Sequence, residues 1–458
     1  MTSPSSGESS SNKAKASPAP APSPATSIAS TADTTTTSRP DAYVSEKSDD
    51  SSKLRILLSI LRKFIGVSDI ASVRFSLPAQ LLEPTPNLEY WNYLDRPETF
   101  VAIGDSNDGL GRMLEVLRFW FTKDLKYVKG KPCKPYNSTL GEFFRCNWEV
   151  EDNAPPILGE THKESATQHV DTKNKQIRVS YITEQTSHHP PVSAFFVDCP
   201  VKGVSARGFD QLSAKFTGTS IRVTPGAHNL GIFINLKHRD DEEYQLTHPI
   251  AHLGGMLRGS LSITVADSCF LTCRKTKMKV ILHYLEENWL GKTQNKVNGV
   301  VYTYDPENDN KTRIKDVPEK DVLARLDGCW HDQIFYTLQG SKDSSVLLDL
   351  RPLFPTAKII PPVDQQLPNE SQRFWAGVTS AIKSKQYTEA TKLKQEIEER
   401  QRDKATQRKE KNEEWKPRFF TDAVTANGKP DLTEDGKKAL QGLQAEDYGL
   451  RDSDVTGA

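Results

Sequence analysis

The octet Glu184-Gln185-Thr186-Ser187-His188-His189-Pro190-Pro191 sets two adjacent imidazoles against two adjacent prolines. Each proline fixes its own φ and removes a backbone donor, and Pro190 also biases His189 away from helical geometry. An alternating run at 177–183 precedes the octet and an apolar run at 192–197 follows it, so the sequence predicts a stiff corner at a strand end. Neighbouring side chains in extended chain point to opposite faces. His188 and His189 are therefore expected to diverge, not to share a metal as an i, i+4 helical pair does. No metal is expected. Taken alone, a His-His pair in a loop is more often an ordinary surface or core feature, and its context must supply the function.

That context is strand-rich. Short alternating runs recur at 177–183, 192–197, 220–224, 230–236, 277–284, 297–304, 333–338 and 345–350, with turn residues such as Pro225-Gly226 and Asp305-Pro306 between them. Many strands with almost no helical stretch among them indicate an antiparallel sandwich or barrel. The spacing does not separate the two.

Helical spacing flanks the strands. Leu54, Leu57, Leu58, Leu61 and Ile65 recur on one side, with Arg55, Ser59, Arg62 and Lys63 on the other. On periodicity this is an ordinary core-facing helix. Pro78 and Pro84 punctuate the chain after it and predict a hinge. Residues 109–127 carry Met113, Leu114, Val116, Leu117, Phe119, Trp120, Phe121 and Leu125, apolar nearly all round, so this helix is predicted to be buried. Beyond the proline-rich 352–368, Phe374, Val378 and Ile382 sit four apart. Residues 386–412 then read as a charged helix packed through Tyr387, Ala390, Leu393 and Ile397. Lys394, Glu398 and Arg402 follow at i, i+4 and i+8 and are expected on one face, which by itself reads as a solvated salt-bridge row.

A second motif is Lys134-Pro135-Tyr136-Asn137-Ser138-Thr139-Leu140-Gly141-Glu142. It puts a cation and an amide three residues apart on one side of a proline turn, where both can address a phosphate or a carboxylate. A lone Lys134 would be a solvated surface lysine.

E-Q-T-S-H-H-P-P, K-P-x-N-x-x-L-G-E and the K-x-x-x-E-x-x-x-R row together resemble the oxysterol-binding-protein-related family of lipid transfer proteins, over roughly residues 54–422. The resemblance implies a mainly β (α+β) fold: a large incomplete antiparallel β-barrel around a lipid tunnel, with an N-terminal lid and a C-terminal helical subdomain. On that plan the lid and hinge occupy 53–86, a helical segment 87–127, the barrel 128–352 and the C-terminal helices 353–422. Residues 1–52 are Ser, Thr, Pro and Ala with few large apolar side chains, which predicts a disordered tail. No pleckstrin-homology or ankyrin pattern precedes the lid, so a short form of the family is expected. Residues 152–175 read as a polar surface insertion, and 423–458 as a polar tail to which no function is assigned.

The resemblance also implies roles. Phosphatidylinositol 4-phosphate would sit in a cradle where Lys134 and Asn137 serve either cargo, and His188, His189, Lys394 and Arg402 serve mainly the phosphoinositide. Glu398 would orient Lys394 and Arg402 or accept from inositol hydroxyls. Leu57, Leu61, Leu77 and Leu81 would belong to the lid and tunnel, with Leu77 closing over the second lipid. Ser76-Leu77-Pro78-Ala79-Gln80-Leu81-Leu82-Glu83-Pro84 and Leu88-Glu89-Tyr90-Trp91 resemble the branch that carries phosphatidylserine, which is the expected second cargo; a sterol is the alternative, and a phosphoinositide-regulated sensor another. An enclosed tunnel is needed because exposing two acyl chains to water costs about 0.8 kcal/mol per CH₂, on the order of 25 kcal/mol in all. A phosphate monoester carries about −1.5 to −2 charges, which suits a cradle of cations and donors.

Composition narrows the classes. Lys+Arg of 60 against Asp+Glu of 60 argues against a nucleic-acid binder held by bulk charge. The six cysteines are scattered without zinc or disulfide spacing and read as reduced, cytosolic thiols. No signal pattern and no apolar run of about 18 residues is present. A soluble monomer is expected, without cofactor, transiently on anionic membranes, by resemblance at endoplasmic reticulum–plasma membrane contacts. An enzyme is not expected: Ser187-His188 lacks the G-x-S-x-G elbow, and Gly254-Gly255-x-x-x-Gly259 lacks the Lys-Ser/Thr of a phosphate loop. Glu142-Phe143-Phe144 begins like a receptor-docking two-phenylalanine tract but continues with Arg145.

Overall fold

The computed structural model describes residues 46–71, 73, 77–130, 132–158, 176–258, 260–285 and 294–450. The strands are β1 Phe143–Glu151, β2 Gln176–His188, β3 Pro191–Cys199, β4 Val204–Asp210, β5 Leu212–Phe216, β6 Ile221–Pro225, β7 Ile232–Leu236, β8 Glu242–Leu246, β9 Ile250–Gly254, β10 Ser262–Cys273, β11 Met278–Tyr284, β12 Lys296–Thr303, β13 Val322–Cys329, β14 Gln333–Leu338 and β15 Ser344–Asp349. Each of the eight runs expected from alternation overlaps one of these strands, and none extends more than two residues beyond it.

They form one antiparallel sheet in the order β1-β2-β3-β4-β7-β8-β10-β11-β12-β13-β14-β15, with β5, β6 and β9 branching from β10. Among the described residues β1 and β15 do not pair, so the barrel is incomplete. The branch arises because β10 serves two partners: residues 262–266 pair with β9, while Leu271 and Thr272 pair with β8.

Helices α1 Glu46–Leu61, α2 Asn87–Tyr90, α3 Pro97–Val101, α4 Gly109–Thr122 and α5 Leu125–Lys129 precede the sheet, and α6 Ser371–Phe374, α7 Ala376–Lys383, α8 Tyr387–Lys411 and α9 Glu434–Ala445 follow it. Asp108 starts α4 by accepting from the backbone N–H of Leu110 and Gly111, the usual way a helix's orphan donors are satisfied. Met113, Leu117 and Phe119 of α4 join the largest core, against the inner face of the sheet. Trp120 Nε1 donates to Tyr284 Oη at 2.9 Å. The helix is buried as expected, and besides its apolar side chains it buries two ionic groups. Arg112 pairs with Glu242, and Glu115 accepts from the backbone N–H of Gly104 and Ser106. Buried charges persist only when partnered in this way.

Residues 423–458, expected to be a polar tail, instead carry α9. Its Ala439, Leu440 and Leu443 are buried against Phe143, Ile182, Phe419 and Phe420. In β2, Val179 and Tyr181 belong to the inner core while Ile182 belongs to this outer one. Strand alternation therefore persists, but both faces are covered. Phe143 is likewise core, which accounts for the two-phenylalanine tract. Helix α1 starts ahead of the expected onset at Leu54. Of the disordered tail expected at 1–52, residues 46–52 are instead the start of α1 and the rest lie outside the described residues, as does most of the 152–175 insertion.

A candidate anion cradle at the mouth of the barrel

The histidine corner is the turn between β2 and β3. His188 ends β2 and lies opposite Pro191, while His189 and Pro190 form the turn, with a cis bond between them. A register shift between Gln185 and Ser187 bulges the strand just before it. Bulges re-aim side chains, and His189 has left the pleat, so the two imidazoles converge instead of diverging as expected. Their ring centroids are 4.7 Å apart at 63°. Gln185 Nε2 lies 2.7 Å from His188 Nδ1. An amide nitrogen only donates, so Nδ1 accepts and His188 presents its proton on Nε2.

The Lys134 segment is tied to this corner through the backbone. Gly141 N–H donates to Gln185 O at 3.0 Å, and Gln185 N–H to Glu142 O at 2.8 Å. Glu142 anchors the loop from behind, accepting from Thr139 N–H, Ser371 Oγ and Trp375 Nε1. Lys134 Nζ donates to Asn137 Oδ1 at 2.7 Å and to Pro135 O at 2.9 Å. The lysine is open to solvent yet enclosed by protein, as a side chain standing in a concavity is. That partial desolvation, with repulsion from Lys394, pushes it down to about 8. It has no acidic partner among the described residues.

Lys394 is 4 % exposed and its Nζ lies 2.9 Å from Glu398 Oε1. Arg402 does not join them. It is exposed, with Nη2 3.7 Å from Glu399 Oε1. At 3.6 residues per turn each i+4 step overshoots a turn by about 40°, so the i+8 residue has drifted about 80° round. The structure thus sets the Lys134–Asn137 pair near the Lys394–Glu398 pair, ties the Lys134 loop by backbone hydrogen bonds to the strand that ends at His188, and leaves Arg402 on the solvent side.

The lid residues divide at the hinge. Leu57 and Leu61 of α1 pack with Phe216 and Met256, whereas Leu77 packs with Tyr136, Trp375 and Val378 beneath α7 and α8. Leu81 ends a 3₁₀ turn at Ala79–Leu81 and is half-buried. The chain just past it is stitched to the cradle: Glu83 N–H donates to Lys134 O, and Tyr136 N–H to Thr85 O.

Sequence reasoning passed over Glu142, Gln185 and Trp415, although the first two lie inside the quoted motifs. It also missed a polar group inside the barrel. Tyr93 Oη donates to Asp210 Oδ1 at 2.5 Å and stacks on His248 at 5.4 Å. Burial pushes Asp210 up to about 6, and burial with the nearby Lys123 ammonium pushes His248 down to about 3. Asp124, next to Lys123, keeps 39 % of its side chain accessible.

All six cysteines are free. Among the described residues there is no helix long and apolar enough to cross a membrane, and no cluster of metal ligands. Neither Ser187, whose Oγ donates to Pro190 O, nor Gly255, which turns β9 into β10 at φ +81°, is arranged as a nucleophile or a phosphate loop. Gly259 and Ser76 lie outside the described residues.

A sequence model of the oxysterol-binding protein family matches residues 56–380 and 378–440. Oxysterol-binding protein-like protein 1 of Schizosaccharomyces pombe is 42 % identical over 90 % of this chain and 95 % of its own length. Human oxysterol-binding protein-related protein 8 is 30 % identical over 80 % of this chain but only 37 % of its own length. Among solved structures, the Osh1 ORD domain in complex with cholesterol superposes with a TM-score of 0.62 at 19 % identity, covering 87 % of this chain and 89 % of that one. The Osh3 ORD in complex with PI(4)P from Saccharomyces cerevisiae gives 0.58 at 17 %, covering 87 % and 94 %.

Proposed function

This chain belongs to the oxysterol-binding protein family, and on that premise we propose that it carries phosphatidylserine and phosphatidylinositol 4-phosphate, one at a time, and counter-exchanges them between membranes. The supporting observation is that Tyr136 of the Lys134 segment packs with Ala390 and Ile397 of α8, which sets Lys134 near Lys394. Two like charges held together in a concavity oppose each other, and an anion placed between them relieves both. His188 Nε2–H, the His189 ring and the Asn137 amide supply the directional donors that a phosphate's acceptor oxygens need.

The choice of phosphatidylserine rests on the 76–84 and 88–91 blocks. Its structural support is that residues 83–85 are hydrogen-bonded to the Lys134 segment, so a hinge movement and cargo at the cradle are mechanically coupled. Competition for one interior would make transport directional where one gradient is maintained. The setting that suits this chemistry is the cytoplasmic face of two apposed membranes, such as endoplasmic reticulum–plasma membrane contacts.

A sterol in place of phosphatidylserine is favoured by a different observation. The half-buried Tyr93–Asp210–His248 group offers a polar partner to a lone hydroxyl, which an acyl chain does not need.

The deciding experiment is mass spectrometry of lipids retained after the purified chain is incubated with mixed-lipid liposomes and re-isolated. Phosphatidylserine with the phosphoinositide supports the proposal. Sterol with the phosphoinositide keeps the cradle and replaces the second cargo, and no retained lipid overturns the carrier reading.

A further inference from the structure

The inward stripe of α8 changes character along its length. Residues spaced seven apart drift only about 20°, since seven residues are about two turns, so Gln401 and Arg408 stay close to the line of Lys394, with Lys404 about 40° further round from Arg408. Ala390, Lys394 and Ile397 are buried, but Gln401, Lys404 and Arg408 are only half-buried. The second half of the stripe is therefore uncovered. Together with Arg400 it presents three cations at i, i+4 and i+8. None of the three has an acidic partner among the described residues, in a helix whose other basic residues include the paired Lys392, Lys394 and Arg402. Burial and the charges of Arg400 and Arg408 both oppose the charge on Lys404.

The strip is built and not merely exposed. Helix α8 stops at Asn412 in the left-handed region, and Glu413 N–H returns to Arg408 O. This brings the Trp415 ring under Arg408, with the guanidinium 5.5 Å from the ring centroid. Trp415 also abuts Gly141 of the cradle loop, where a Cβ would stand 2.5 Å from Cη2. One indole thus holds the end of the strip against the rim of the candidate cradle.

We propose that Arg400, Lys404 and Arg408 form a docking strip for an anionic bilayer surface, which rests on the carrier reading above. The whole chain has no net charge, so attraction to such a surface must be local. Three cations spread over an arc of about 80° on one side of the helix can still face a plane of anionic head groups together, each contributing about tenfold or less in affinity near the surface. Their place beside the mouth is where a lipid must leave the bilayer.

The test is flotation of the full chain with phosphatidylcholine vesicles, with and without phosphatidylglycerol, an anionic lipid outside the proposed cargo pair. The wild-type chain is expected to bind the anionic vesicles and to be released by salt. Arg400→Gln with Lys404→Gln and Arg408→Gln is expected to weaken that binding on the order of 10- to 100-fold. Lys383→Gln with Lys385→Gln and Lys392→Gln removes the same charge from exposed positions off the strip and is expected to bind nearly as wild type. Equal weakening in the two variants, or none in the first, overturns the proposal. A wild-type chain that ignores anionic vesicles overturns it in favour of an acidic protein partner. Lipid extraction measured with vesicles in excess separates the two readings: docking without extraction sinks the carrier, and extraction with normal docking of the strip variant sinks the strip.

Discussion

The backbone N–H of Phe419 donates to Glu184 Oε2 at 2.8 Å, and that of Arg418 to Oε1 of the same carboxylate at 2.8 Å. The first residue of the histidine octet thereby fastens the C-terminal segment to the end of β2, four residues from His188. Glu184→Gln keeps one acceptor but sets an NH₂ against a backbone N–H. Leaving a buried donor unsatisfied costs about 1–3 kcal/mol. Urea denaturation should show that loss, and an unchanged midpoint would mean the clamp is idle.

Burial pushes both Glu184 and Glu142 from 4.5 up to about 7, against the hydrogen bonds that favour their ionised forms. The folded state then holds protons that the unfolded chain releases near pH 4.5. Stability from these two groups is fully present below that value, declines as pH rises toward about 7, and is flat above it. Midpoints measured at intervals across this window should fall, by on the order of a few kcal/mol in free energy. Glu184→Gln should flatten the curve.

Gly141 sits at φ +76° with Trp415 where a Cβ would go. Gly141→Ala therefore meets both a disfavoured backbone and a rigid indole, and is expected to cost about 1–3 kcal/mol. Equilibrium unfolding checks this. Gly218→Ala, also at positive φ but facing open space, isolates the backbone share.

His188→Ala with His189→Ala is expected to lower phosphoinositide extraction at least about tenfold, the loss of one or two charge-assisted hydrogen bonds, while phosphatidylserine retention persists in part. Equal loss of both lipids, in a chain still folded by circular dichroism, would contradict that division of labour. Lys134→Ala should weaken both.

Deleting 423–458 removes Ala439, Leu440 and Leu443 from the outer core that covers Phe143 and Ile182. The truncated chain is expected to lose cooperative unfolding or to aggregate, judged by circular dichroism and light scattering. A soluble, cooperatively folding product would show α9 to be dispensable.

The strands and helices were legible because their periods, two and 3.6, are written in consecutive residues. Val192 onward reads as strand, and Leu54–Leu58–Leu61 as a helix face, without reference to any distant partner. The octet's stiffness is equally local, being a property of Pro190 and Pro191. The carriers of the cradle, Lys134, Asn137, His188, His189, Lys394 and Glu398, could be named from motifs, though their binding roles stand as proposals.

What the chain could not reveal locally was which surface each element covers. The alternation of β2 does not announce that α9, some 250 residues on in sequence, buries its second face. An i, i+4, i+8 row looks aligned on paper, but the helix's 40° drift per step carries Arg402 away from Lys394 and leaves Arg408 closer to its line. His188 and His189 alternate in an ideal strand, and only the bulge at Gln185 and the turn beyond it make them converge. Sequence by itself determined the local geometry and the chemistry available, because those depend on neighbouring residues. The tertiary structure alone decided which charges meet, because that depends on contacts between residues hundreds of positions apart.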